Sequence, residues 1–169
     1  MIVLKIILSI LIIVCATKLG IEISKKYVFR EKELYEFKNA FNMMETKIRY
    51  TYEPLKEIFY EMSETLDRNV GNVFRNVSKN LENSSAKKSW ENAIDKNQLY
   101  LLKEDKDVLK GFGKLLGKTD KQGQISEIEL ILELLENQIE KANKEREKNE
   151  KLYKKMGFIL GISIVVILI

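Results

Sequence analysis

Carboxylates that could move a proton are plentiful in this chain, as at Glu127, Glu129, Glu133 and Glu136. Carboxylates do general acid–base work when burial or a neighbouring charge separates their pKa values. These four lie in a helical run opposite the apolar stripe of Ile125, Ile128, Leu132 and Leu135, the pattern of a solvated helix face. The sequence has no His, so the commonest general base and the commonest metal ligand are missing. Its one cysteine, Cys15, sits inside an apolar run, which leaves no intramolecular disulfide and no thiolate zinc site. There is no phosphate loop, H-E-x-x-H or G-x-S-x-G. Gly111-Phe112-Gly113 is rich in glycine, but it falls within a helical pattern with no preceding strand to orient a phosphate. Close packing against small residues explains it better. The expectation is a protein that is not an enzyme, with no catalytic, cofactor or metal residues.

The elements that hold these residues are set by composition. Ile6 to Thr17 carries no charge, and Val3 to Ile23 is interrupted only by Lys5, Lys18 and Glu22. As a helix that stretch reaches about 31 Å, enough for a bilayer core of roughly 30 Å. Met156 to Ile169 is also uncharged, but spans only about 21 Å as a helix. Lys5 before an apolar run resembles a secretory signal, yet Ile12-Ile13-Val14-Cys15-Ala16 offers neither a lipoprotein site nor an A-x-A-type site. An uncleaved anchor is expected. The predicted organisation is an anchor at 1–23, a helical domain at 24–155 and a second membrane segment at 156–169. With Lys5, Lys18 and Glu22 set aside, 27 of the 29 basic and 24 of the 25 acidic side chains remain in the middle. Both signs are interspersed there, so a nucleic-acid partner is not expected.

Apolar residues recur at helical spacing through that middle. Leu34, Phe37, Phe41, Met44 and Ile48 make one stripe, and the helix should end just before Pro54. Pro54 suits the first turn of a second helix, with Leu55, Ile58, Phe59, Met62 and Leu66 inside. Asp67-Arg68-Asn69 breaks the pattern. Val70, Phe74, Val77 and Leu81 mark a third helix, closed by Glu82 to Ser85, and Trp90, Ala93 and Ile94 a fourth. Trp90 reads as a core anchor. Val108, Leu109, Phe112, Leu115 and Leu116 predict a fifth helix ending at Gly117. Thr119 with Gln122 can form a capping box for a sixth, whose stripe runs Ile125, Ile128, Leu132, Leu135, Ile139 and Ala142. Arg146, Asn149 and Tyr153 continue the register. This helix could run about 50 residues, roughly 75 Å, from the domain into the membrane. The short link at Gly117 to Thr119 makes helices five and six antiparallel neighbours. The fold class is therefore all-α: an antiparallel bundle of about six helices between two terminal membrane segments.

Topology follows from charge. Lys25, Lys26, Arg30, Lys32 and Lys38 flank the first segment on the domain side, and Lys141, Lys144, Arg146, Lys148, Lys151, Lys154 and Lys155 flank the second, against Lys5 alone on the far side. The positive-inside rule puts the domain in the cytoplasm and both termini outside. Gly157 and Gly161 form a G-x-x-x-G pair that can let two membrane helices approach closely.

Several segments together resemble the stage III sporulation protein AB family of endospore-forming Firmicutes, end to end. They are Glu45-Thr46-Lys47-Ile48-Arg49-Tyr50 with Glu53-Pro54-Leu55, then Ser89-Trp90-Glu91-Asn92-Ala93, then Phe112-Gly113-Lys114-Leu115-Leu116-Gly117 continuing through Thr119-Asp120 to Gln124. The resemblance implies a subunit of a secretion-like assembly in the membrane that the mother cell wraps around the forespore. It implies sister proteins of the same operon as partners, a secretion-type ATPase among them. It also implies a domain similar to the cytoplasmic domains of the type II secretion and type IV pilus platform protein F. Those platforms have several membrane helices and duplicated domains, whereas this chain has one domain, and the acidic metal site of some platform domains has no matching motif here. The corner made by Gly113, Lys114, Gly117, Lys118, Asp120 and Gln124 is expected to lie near a partner-binding surface. A homo-oligomer is compatible with this reading. The alternative is a membrane-tethered adaptor or regulator acting through its long C-terminal helix.

Overall fold

The computed structural model describes residues 2–51, 53–114, 116 and 120–168. Those residues form six α-helices and no strand: α1 (Ile2–Tyr50), α2 (Leu55–Thr65), α3 (Arg68–Asn80), α4 (Ala86–Lys96), α5 (Lys103–Phe112) and α6 (Lys121–Leu168). The all-α expectation holds. The first apolar run and the first amphipathic stripe are one helix, because no Pro or paired Gly separates them. Both apolar ends are thus the outer portions of α1 and α6. α1 is long and apolar enough to cross a membrane by length and composition. The chain divides into two compact units, residues 1–31 with 141–169, and residues 32–140. The unit boundary falls later than Ile23, where the apolar composition ends.

The unit of residues 32–140 is built around one tryptophan. Trp90 is fully buried, and its Nε1–H donates to the Leu109 carbonyl at 2.6 Å, so burying the indole leaves no donor unsatisfied. Four phenylalanines surround it: Phe41, Phe59, Phe74 and Phe112, with ring centroids 6.0, 6.2, 5.5 and 5.3 Å away. They come from α1, α2, α3 and α5, so a single side chain ties four helices to α4. The predicted stripe Leu34, Phe37, Phe41, Met44 and Ile48 is buried along α1, and Ile58, Phe59 and Met62 along α2. From α6 come Ile125, Ile128, Ile131, Leu135 and Ile139. Ile131 is the fully packed residue there, while Leu132 is half-buried. A strict 3-4 alternation picked Leu132 because 131 and 132 straddle the same face.

Local signals set the breaks. Pro54 stands just before α2 in extended geometry (φ −60°, ψ 142°), as its N-cap and one position earlier than the expected first turn. Ser85 caps α4, its hydroxyl accepting from the Lys88 N–H at 3.3 Å. Leu102 N–H donates to the Asp105 carboxylate at 2.8 Å, closing the start of α5. Glu33 on α1 accepts from Asn69 Nδ2 at 3.0 Å and from the Tyr100 N–H at 2.6 Å, tying α1 to α3 and to the α4–α5 link. Burial pushes the Glu33 carboxyl above its ordinary range, and these two hydrogen bonds pull it partly back.

Candidate functional site

Helix α5 ends at Phe112, five residues before the expected stop at Gly117. The early end has a local cause. Gly111 and Gly113 weaken the last turn, since each glycine costs about 1 kcal/mol against Ala in a helix. The backbone then tightens, Gly113 N–H donating to the Lys110 carbonyl and Lys114 N–H to the Gly111 carbonyl, both at 3.1 Å. Gly113 has ordinary helical dihedrals (φ −62°), so its role is spatial. A Cβ there would lie 2.9 Å from Cδ1 of Trp90. The Gly113 backbone rests directly on the tryptophan at the centre of the core.

Lys114, next in the chain, is exposed, and its side chain makes no hydrogen bond or ion pair among the described residues. Leu116 returns to the core at 3 % exposure. Gly117 and Lys118, and Leu115 and Thr119 with them, lie outside the described residues, so the Thr119–Gln122 capping box does too. The described cap of α6 is Asp120, which precedes the helix. Its Oδ1 accepts from the Gly123 N–H at 2.9 Å and its carbonyl from the Gln124 N–H at 3.0 Å. Gln124 is half-buried one turn in. Of the expected corner residues, Gly113 and Asp120 are accounted for by packing and capping. Lys114 is not.

The second candidate, Gly157 with Gly161, faces α1 within the unit of residues 1–31 and 141–169. A Cβ on Gly157 would lie 2.7 Å from the Ala16 carbonyl oxygen and 3.0 Å from Gly20 Cα; one on Gly161 would lie 2.9 Å from Ile13 Cα. Helix meets helix backbone to backbone, as small residues allow. Reading the sequence missed the α1 half of this contact, although Ala16 and Gly20 have the same small-x-x-x-small spacing as Gly157 and Gly161. Above it Ser24 is 1 % exposed, and Tyr27 stacks on Tyr153 with centroids 5.8 Å apart and planes 16° apart. Arg30 Nη1 then donates to Glu145 Oε2 at 2.7 Å, and Arg146 Nη1 pairs with Glu31 at 2.9 Å. The polar continuation of the α6 stripe at Arg146 and Tyr153 therefore meets a matched set on α1. No spacing rule reports a pairing across 115 residues of chain.

Glu127 is half-buried, and the carboxylates that follow it lie on the outside. Glu133 is exposed, Glu136 pairs with Lys38, and Glu129 accepts from Arg49 at 3.4 Å. Among the described residues, no group of three or more His, Cys, Asp or Glu is placed to hold a metal ion.

Residues 5–169 match the sequence profile of a family described as stage III sporulation protein AB. The stage III sporulation protein AB of Bacillus subtilis (strain 168) is 32% identical over 169 residues, covering 98% of this chain and 99% of its own length. A solved structure described as stage III sporulation protein AB superposes with a TM-score of 0.65 at 30% identity, covering 70% of this chain and 96% of the solved one.

Proposed function

The chain belongs to the stage III sporulation protein AB family, and from that premise we propose that it is a non-enzymatic membrane subunit of a secretion-like channel between mother cell and forespore. In this reading the apolar ends anchor it in the mother-cell membrane around the forespore. The helical unit faces the cytoplasm and scaffolds the assembly, docking a secretion-type ATPase or sister subunits of the same operon. The carrying observation is the corner between α5 and α6. At its described edges Gly113 lies against Trp90 and Asp120 caps α6, while the exposed Lys114 makes no hydrogen bond or ion pair among the described residues. An exposed charged side chain next to a glycine packed on the core suits a docking surface.

The adaptor reading would need the predicted apolar stripe of the long helix to be free for a partner. Ile125, Ile128, Leu135, Ile139 and Ala142 are already buried within the chain, which favours the scaffold.

The test is to replace Lys114 and Lys118 by Glu in the full-length protein and to follow two readouts. The melting temperature should be unchanged, while co-isolation with the operon's other products from sporulating cells should be lost. Unchanged stability with normal co-isolation would remove the corner from the docking surface.

A further inference from the structure

Opposite the face that α6 turns to α1, the helix carries a second ridge. It is spaced 3, 4, 4, 3 and 4 residues apart: Lys148, Lys151, Lys155, Ile159, Ile162 and Val166. All six are exposed, the apolar three at 59, 39 and 72 %. The α1-facing ridge is Arg146, Tyr153, Gly157 and Gly161, so the outward ridge takes no part in the helix pairing. Its lysines make no ion pair or hydrogen bond among the described residues. The nearby Glu150 is engaged by Lys154 at 2.7 Å and sits off the ridge. The corresponding outward ridge of α1 differs. There Glu22 lies between Lys18 and Lys25, with Lys25 Nζ 2.6 Å from its carboxylate, so one of the two positive charges is directly paired.

A straight track of three ammonium groups in no direct ion pair, about 10 Å long, passes without interruption into an apolar track of similar length. That is the shape and polarity of a ligand with an anionic head and an acyl tail. A purely soluble anion would leave the Ile159–Val166 half unused, and an uncharged lipid would leave the lysines uncompensated. We infer that the outward ridge of α6 is a binding site for an anionic phospholipid, its phosphate against Lys148, Lys151 and Lys155 and an acyl chain along Ile159, Ile162 and Val166. Basic residues beside a membrane segment each strengthen attraction to an anionic lipid surface by roughly fivefold, and long lysine side chains reach the headgroup layer while their stems lie along apolar surface. The inference rests on the reading of the apolar ends as membrane-embedded.

The experiment uses the full chain carrying Phe158→Trp beside the ridge, in phosphatidylcholine vesicles that contain a minor fraction of acyl-brominated phosphatidylglycerol or, in parallel, of acyl-brominated phosphatidylcholine. Bromine quenches an adjacent indole, and the buried Trp90 signal is removed by subtracting the chain without the reporter. Brominated phosphatidylglycerol should quench more than brominated phosphatidylcholine at the same fraction. The excess should fall by up to about 100-fold in affinity terms when Lys148, Lys151 and Lys155 are all replaced by Gln, and persist when all three are replaced by Arg. Excess inorganic phosphate should not relieve it. Equal quenching by the two lipids, an excess that survives the Gln variant, or relief by inorganic phosphate would overturn the lipid site. No quenching by either lipid would instead overturn the membrane reading on which it rests.

Discussion

Gly111 and Gly113 stand two residues apart and should respond oppositely to the same methyl group. A Cβ at Gly113 meets Trp90 at 2.9 Å, whereas at Gly111 the nearest contact is Ile131 Cδ1 at an ordinary 3.6 Å. Gly113→Ala should therefore cost about 1–3 kcal/mol through overpacking, and Gly111→Ala, inside α5, should be neutral or gain up to about 1 kcal/mol. Thermal unfolding of the full chain in detergent separates them, and equal shifts would contradict the packing described around Trp90. The same measurement ranks α6: Leu135→Ala should cost about 2–5 kcal/mol, and replacing the exposed Glu133 by Gln no more than about 0.5 kcal/mol. Glu33 adds a pH dependence. Its carboxyl is raised in the folded protein, mainly by burial, so across that window the native state binds more protons than the unfolded chain. Its contribution to stability then falls as pH rises from the ordinary carboxylate range through the raised value. Glu33→Gln should flatten that part of the melting temperature–pH curve; an unaltered curve would show that Glu33 does not carry the effect. Core residues such as Phe41, Phe74 and Trp90 were legible in the sequence because periodicity reports which face of a helix is apolar. Glu33 was not, since a buried carboxylate is betrayed only by its partners, Asn69 and Tyr100, which lie 36 and 67 residues away.

At the scale of elements, apolar stripes and breaker residues located all six helices, and the errors lie where two local signals compete. α5 was expected to run to Gly117 because its apolar stripe does, but the glycines at 111 and 113 end it sooner. What the stripes could not report is pairing between α1 and α6 beyond the core. The small residues Ala16, Gly20, Gly157 and Gly161 and the pairs Arg30–Glu145 and Glu31–Arg146 become meaningful only together. Their joint role makes a prediction. Gly157→Leu drives a side chain into α1 backbone atoms, which cannot move aside as a flexible side chain would, so the helices must separate. It should lower the melting temperature in detergent markedly, while Ile159→Leu on the outward ridge should leave it nearly unchanged. Equal responses would mean that α1 and α6 do not pair through the glycines.

For the molecule as a whole, the family and the all-α architecture rest on several independent observations, and orientation is what links them to a role in an assembly. Twelve basic residues flank the apolar ends on the side of the helical unit and Lys5 alone on the other, so the unit should face the cytoplasm. Single cysteines in a Cys15→Ser background test this directly. Lys88→Cys places a thiol on exposed α4 and Lys5→Cys places one at the far end of the apolar run; the variants are produced in non-sporulating cells, where the membrane that holds them faces the medium, and intact cells with the wall removed are then treated with a membrane-impermeant maleimide. Lys5→Cys should be labelled in intact cells and Lys88→Cys only after lysis. Labelling of Lys88→Cys in intact cells would put the helical unit on the wrong side to meet a cytoplasmic ATPase and would contradict the account at its centre.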